Sequence, residues 1–367
     1  MRLISLEVTD YRNIASARLT PGRELTVLSG NNGQGKTNLL EAIWLLTGGK
    51  SFRGGRDAEL VRRGQPFAVL SAVTEQDDGQ QHTIRLTVGG PESPRPGRYA
   101  SRNGAPPKRA AALAGSFPAV AFDPGHLSLV KGAPELRRKF LDAALCQLYP
   151  GYLTLYRRYV RALQQKNALL RHSGTRPELP MKQKREQLEI WNAELARQGE
   201  AIQQRRREYL ALLGPLAAAN YAEISRGAER LEIAYQAKFE PGALAETLAR
   251  GREEELRAGQ SLWGPHREDL ELLLDGQPAR VYASQGQQRS IVLSLKMAEA
   301  AAAARITGEH PVMLLDDVLS ELDEGRKAYL LTRMQGKQTF VTSCDDTAFL
   351  RTDGEVYRME AGNLTRL

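Results

Sequence analysis

The chain has 367 residues, 41% hydrophobic and 26% charged, enough for two or three domain-sized units of ordinary globular composition. No apolar run approaches the roughly 18 residues of a membrane span, the first residues lack a secretory apolar region, and the two cysteines, Cys146 and Cys344, have no metal-like spacing; a cytoplasmic protein without a membrane partner is expected. The net charge of +8 favours an anionic partner and is concentrated: residues 131–209 carry 17 Lys and Arg against 8 Asp and Glu.

The opening "MRLISLEVTDYRNI" alternates like strand, and a turn at Pro21-Gly22 leads to the apolar run "ELTVLSG". A helix is expected from Lys36, with Leu39, Leu40, Ile43 and Leu46 on one face. Residues 67–110 read as short strands, with turns at Asp78-Gly79 and Asn103-Gly104. From Pro134 the texture becomes helical, broken at 172–180 and again at Gly214-Pro215, with further helix to about residue 258. Those breaks limit uninterrupted helices to roughly 30–40 residues, about 45–60 Å. After Gly264-Pro265, Leu270, Leu272 and Leu274 alternate, Asp275-Gly276 turns the chain, and Val281-Tyr282 is expected to begin the return strand. A long helix (289–305), a buried strand (311–317), a helix (325–335) and a strand (338–343) follow. This is an α/β chain, with lobe I over 1–118 and 264–367 as a mixed sheet with helices and an inserted, mainly helical lobe II over 119–263.

"GNNGQGKT", Gly30 to Thr37, follows an apolar strand and opens a helix, as a phosphate-binding loop requires. Glycines let the backbone N–H groups of Gly30, Asn31, Asn32, Gly33, Gln34, Gly35 and onward to Asn38 curl around phosphate oxygens, and the helix terminus adds a favourable dipole. Lys36 can reach the β- and γ-phosphates of ATP, and the Thr37 hydroxyl can ligate Mg²⁺. The alternative is a Gly-rich turn that happens to fit the pattern. Beyond the strand "PVMLL", Asp316 is placed to hold Mg²⁺ and Asp317 to polarise an attacking water as general base; a pair of capping aspartates is the bland alternative.

"YASQGQQRS" offers a Ser284 hydroxyl and a bare Gly286 N–H at the start of another helix, a second candidate phosphate-binding terminus. One chain cannot close both ends on one phosphate, whereas two facing chains can. The pattern S-x-G-Q resembles the signature of ABC-type ATPases. Together with "DYRN" (10–13), "KSFR" (50–53), "VKGAPELRRKFLD" (130–142), "WGPHREDL" (263–270) and "LLDDVLSELD" (314–323), it makes the chain similar to the RecF family of bacterial recombination mediators. "FDPGHL" (122–127) departs from that family's pattern, with Gly125 and His126 where two acids are usual.

The resemblance implies a P-loop ABC-type ATPase head, a weak DNA-dependent ATPase that binds ATP and Mg²⁺ and dimerises through them. Ser284, Gln285, Gly286 and Gln287 would face the partner's nucleotide, Ser320, Glu321 and Asp323 would lie at the dimer interface, and Thr342 and Ser343 would sense the γ-phosphate. The implied partners are double-stranded or gapped DNA, RecO and RecR, with RecA indirectly. Asp317 stands where many relatives carry Glu, from which slow hydrolysis is expected.

Arg157, Arg158, Arg161 and Lys166, together with Arg205, Arg206 and Arg207, are candidate contacts to the DNA backbone, with solvated helix faces as the alternative. Tyr152, Leu155, Tyr156 and Tyr159 share a face better suited to a core than to stacking on bases. His266 reads as a turn residue with no acid–base role. Two other functions share the ATP site: an SMC-like chromosome-structuring head, which needs long coiled-coil arms, and a transporter ATPase subunit, which leaves the basic helices unexplained.

Overall fold

The computed structural model describes residues 1–90, 92–171, 180–344 and 354–367, so the expected break at 172–180 lies, apart from Pro180, outside the described residues. The chain divides into two compact units, one of Met1–Leu127, Leu216–Ala228 and Ser284–Leu367, the other of Ser128–Pro215 and Glu229–Ala283.

The first unit holds two six-stranded sheets. In one, the strand Leu25–Ser29 lies between Thr339–Ser343 and Glu355–Glu360, parallel to both. Val312–Leu315 continues the parallel run between Thr339–Ser343 and Ala119–Phe122, while Asn363–Arg366 closes the opposite edge antiparallel. These strands are near-continuous apolar runs because both faces are covered. The other sheet is antiparallel, and its strand Phe67–Glu75 alternates buried with half-buried side chains, as a one-sided sheet should. From the helix Lys36–Leu45, Leu39, Leu40 and Ile43 are fully buried in one core with Leu28, Leu314 and Phe340. Each such burial contributes about 1.5–3 kcal/mol, and together they lock the helix onto the strands that carry the site.

The second unit contains the helices Pro134–Leu148 and Tyr152–Leu170, most of Met181–Ser225, and a small sheet in which Leu231–Gln236 pairs antiparallel with Asp269–Leu274. Four expectations are corrected. The helix Met181–Ser225 runs 45 residues through Gly214 and Pro215, about 68 Å at 1.5 Å per residue. Pro215 removes one backbone hydrogen bond, but the carbonyl left over belongs to Ala211, an exposed residue, where solvent can take the place of the lost donor. Leu231–Gln236 is strand, not helix, since it pairs along Asp269–Leu274. The return strand is only Gln277–Pro278; Val281 and Tyr282 fall in the short helix Ala279–Tyr282 with their side chains exposed. The lobe bounds also shift: Ala119–Phe122 pairs in register with Val312–Leu315 and so belongs to the first unit, and residues 264–283 go with the second.

Candidate nucleotide-binding site

The loop Gly30–Lys36 is shaped by glycine at two points. Gly30 has φ 133°, and a Cβ there would lie 2.4 Å from the Met359 carbonyl oxygen; Gly35 has φ 118°, and its Cβ would meet the Asn13 side chain at 2.9 Å. Asn13 is itself part of the loop's support. Its Nδ2 donates to the Gln34 carbonyl at 3.1 Å, and its Oδ1 accepts from Asn38 Nδ2 at 2.7 Å. Gln34 Oε1 accepts from Ala361 N at 2.6 Å, tying the loop to the C-terminal hairpin.

Lys36 is buried, and its ammonium donates to the Gly30 and Asn31 carbonyls, the latter at 3.0 Å. It also lies 3.6 Å from Cys344 Sγ, which in turn contacts Asn32 Oδ1 at 3.1 Å. The cation therefore sits inside the loop it would share with a phosphate. Thr37 donates its hydroxyl to Asp316 Oδ1 at 2.8 Å, and Thr342 donates to the same oxygen at 3.0 Å. The Thr342 oxygen accepts in turn from Asp317 N at 2.8 Å. Burial pushes the Asp316 carboxyl above the usual aspartate range, against the lowering effect of the two threonine hydroxyls. A hard cation suits this donor set, an anionic oxygen in a dry setting beside a hydroxyl. No group of three or more His, Cys, Asp or Glu side chains able to hold a metal occurs among the described residues; if a cation binds beside Thr37 and Asp316, phosphate and water would complete its shell.

Asp317 has φ 52°, in the left-handed region that a non-glycine residue occupies at a cost of about 1–2 kcal/mol. This turns the chain sharply after the strand Val312–Leu315. Ser320 Oγ donates to the Asp317 carbonyl at 2.8 Å and lies 3.2 Å from its Oδ1.

Ser284 caps the helix Gln285–Thr307: its Oγ accepts from Gln287 N at 3.3 Å, and Gln287 Oε1 accepts from Ser284 N at 2.7 Å. This capping box was legible in the sequence as Ser followed three residues later by Gln. The cap engages an oxygen lone pair and leaves the Ser284 O–H as a donor. Ser284 and Gln285 are exposed. The helix thus presents a capped, accessible N-terminus. Among the described residues the side-chain hydrogen bond of Ser284 is to Gln287 of its own helix, not to the P-loop.

Sequence reasoning missed a cluster behind the P-loop helix. Glu41 is fully buried, and it accepts from Tyr11 at 2.7 Å, from Arg12 Nη2 at 2.8 Å and from Ser51. Burial alone would raise its carboxyl, but these hydrogen bonds, led by that of Arg12, hold it below the usual carboxylate range. Arg53 Nη1 donates to Asn38 Oδ1 at 2.6 Å. The "DYRN" and "KSFR" blocks therefore converge on one helix. The available signal was an acid, Glu41, on the apolar face of "NLLEAI".

Two of the proposed DNA contacts are corrected. Lys166 is wholly buried and paired with Glu255 at 2.6 Å. Arg206 is buried and bidentate to Asp142 at 2.9 and 3.0 Å, and it also donates to the Pro265 carbonyl at 2.7 Å. A buried, paired cation offers nothing to a phosphate. Arg157, Arg158 and Arg161 are exposed with no ion-pair partner among the described residues, Arg205 is exposed but paired with Glu208 at 2.7 Å, and Arg207 is half-buried with its guanidinium 5.4 Å from the Tyr235 ring centroid. Within the same unit Arg137 is bidentate to Asp269, both contacts at 2.8 Å, and Arg138 donates to the Glu268 carbonyl at 2.6 Å. His266 shares a hydrogen bond of 2.5 Å with Tyr159, and burial lowers its pKa to about 4.

Residues 2–363 match the family described as RecF/RecN/SMC N terminal domain. The chain is 39% identical to the DNA replication and repair protein RecF of Heliobacterium modesticaldum, across all of this chain and 99% of that one. It is 37% identical to the corresponding protein of Geobacter sulfurreducens, across the whole of both chains. Among solved structures it is similar to a recombination mediator protein RecF-ATPrS in the RecFOR pathway, with a TM-score of 0.89, 32% identity, and coverage of 100% and 98% of the two chains. An SMC head bound to the C-terminal winged-helix domain of ScpA has a TM-score of 0.56 at 15% identity, a likeness of fold alone.

Proposed function

The chain belongs to the RecF family, and from that premise we propose that it is an ATP-dependent DNA-binding protein of recombinational repair and replication restart in the bacterial cytoplasm. ATP binding joins two copies, the joined pair clamps double-stranded or gapped DNA, and slow hydrolysis releases it. RecO and RecR are its partners in bringing RecA to single-stranded gaps.

The observation that carries this reading is a division of labour within one unit. Lys36, Thr37, Asp316 and Thr342 converge at one place, while Ser284 is held at an exposed helix terminus. In the joined pair, backbone N–H groups from Gly30 to Asn38 cradle the phosphates, and Lys36 exchanges the Gly30 and Asn31 carbonyls for phosphate oxygens. Thr37 and Asp316 hold the cation. The Ser284 O–H and the Gly286 N–H donate to the γ-phosphate held by the other copy, assisted by the terminal dipole. Mg²⁺-ATP supplies the phosphoanhydride whose hydrolysis reverses the assembly, with the cation neutralising charge on the phosphates. Asp317 orients and deprotonates the attacking water, and Thr342 links that residue to Asp316. Gln285, Gln287, Ser320, Glu321, Asp323 and Ser343 border the interface.

DNA contact falls to the exposed arginines 157, 158 and 161, through backbone phosphates without base readout. The test is anisotropy of a labelled duplex with and without ATP, on wild type and Lys36→Met. ATP should tighten binding by the wild type alone. Equal binding under all conditions would remove the ATP-dependent clamp.

A further inference from the structure

Beyond the groups that touch nucleotide, one arginine holds the signature turn in place. Arg326 lies in the first turn of the helix Glu324–Met334, which Asp323 caps by accepting from Arg326 N at 2.9 Å. Its guanidinium then reaches away from its own helix. Nη2 donates to the Gly286 carbonyl at 2.9 Å, Nε donates to Ser290 Oγ at 2.9 Å, and Nη1 pairs with Asp323. Ser290 Oγ donates to the same Gly286 carbonyl at 3.1 Å, closing a small ring of hydrogen bonds around the first turn of the signature helix. A second tie runs alongside, Arg289 Nη2 to Glu321 Oε2 at 2.6 Å. A Cβ added to Gly286 would sit 3.3 Å from Arg326 Nη2, so the guanidinium is packed against the bare glycine as well as bonded to it.

This arrangement requires a guanidinium. A carbonyl, a hydroxyl and a carboxylate are met at once by one planar fork with fixed donor directions, which an ammonium cannot reproduce. The side chain is 23% exposed, so these charge-assisted bonds are only partly screened. Their effect is to fix the direction of the turn that carries Ser284 and the Gly286 N–H. A helix terminus can donate to a phosphate only if its N–H groups are aimed at it; an error of 1 Å in a terminus brought by a second molecule is enough to lose the bonds.

We propose that Arg326 is a positioning residue, which aims the signature turn of one chain at the nucleotide held by the other. The proposal rests on the ATP-joined pair described above. The measurement is the monomer–dimer dissociation constant in ATP, by sedimentation, together with the affinity of dilute monomer for a fluorescent ATP analogue. Arg326→Gln should raise the dimer constant at least tenfold and leave monomer nucleotide affinity within twofold. Arg326→Lys, which keeps one of the three contacts, should fall between. Ser290→Ala removes the Nε acceptor together with the serine's own bond to the Gly286 carbonyl, leaves the other two Arg326 contacts, and should raise the constant about threefold; it decides the matter if Arg326→Gln does not fold. Wild-type dimerisation by Arg326→Gln, or by Ser290→Ala where that variant decides, overturns the proposal, as does an equal loss of nucleotide binding by the monomer. If Ser284→Arg still fails to dimerise in the same experiment, the joined-pair reading survives that result; if Ser284→Arg also dimerises normally, the reading itself has failed.

Discussion

Thr37, at the start of the P-loop helix, donates its hydroxyl to Asp316 Oδ1 at 2.8 Å across 279 positions of sequence. The two residues follow the parallel strands Leu25–Ser29 and Val312–Leu315, which Thr339–Ser343 separates, and their contact joins the phosphate loop to the acid that would hold the cation. Asp316→Asn keeps the shape and the acceptor but removes the charge. Nucleotide binding by this variant should lose its dependence on Mg²⁺, by at least tenfold in affinity with the cation present, while binding without Mg²⁺ is unchanged; paired titrations measure both.

The same carboxyl gives a pH dependence. Burial raises the Asp316 pKa, so protons compete with Mg²⁺ at a higher pH than for an exposed aspartate. Mg²⁺-dependent binding should therefore weaken as pH falls towards the acid range, beginning above the pH at which an ordinary aspartate protonates. Titrations between pH 8 and 5 test the sign: stronger binding at lower pH would contradict it.

Asp317 sits in a left-handed backbone conformation next to Asp316. Its carboxylate is one methylene shorter than a glutamate, and turnover with DNA should stay below about 10 s⁻¹. Asp317→Asn should slow hydrolysis at least tenfold while leaving ATP-dependent dimerisation intact. A steady-state assay and sedimentation in ATP separate the two properties.

The buried and exposed arginines should respond in opposite ways. Breaking the Arg206–Asp142 pair by Arg206→Ala leaves a buried carboxylate uncompensated and should cost about 3–5 kcal/mol of stability. Arg157→Gln with Arg158→Gln and Arg161→Gln should leave the melting temperature within a few degrees and weaken duplex binding. Each lost phosphate contact should reduce the logarithmic salt slope by about one.

His266 provides a second pH signature. Its folded pKa of about 4 lies below the unfolded value near 6.5, so protons favour the unfolded state in between. Its contribution to stability is intact above pH 6.5 and is lost as pH falls from there towards 4. The linkage amounts to about 2 kcal/mol between pH 8 and 5. His266→Gln should flatten that part of the denaturation profile, which urea titrations at the two pH values will show.

The site was legible in the sequence wherever its chemistry is local. Gly30–Thr37, Asp316 and Ser284 sit at strand ends and helix starts that short patterns specify. What was not legible depends on distant partners. Arg206 and Lys166 look like surface charge on a helical wheel, which gives the direction of a side chain but not what packs there; Asp142 and Glu255 decide their burial. Leu231–Gln236 becomes strand only through pairing with Asp269–Leu274. Pro215 was read as a helix end, although a proline on an exposed face removes only a bond that water replaces. Glu41 was hidden for the same reason as the arginines, since Tyr11, Arg12 and Ser51 reach it from two other segments.

Sedimentation of wild type, Lys36→Met and Ser284→Arg, with and without ATP, tests the joined pair most directly. Wild type should shift from monomer to dimer when ATP is added. Both variants should stay monomeric, and Ser284→Arg should still bind nucleotide. A dimer that forms without ATP, or that forms equally well in both variants, would contradict the sharing of one nucleotide between two chains.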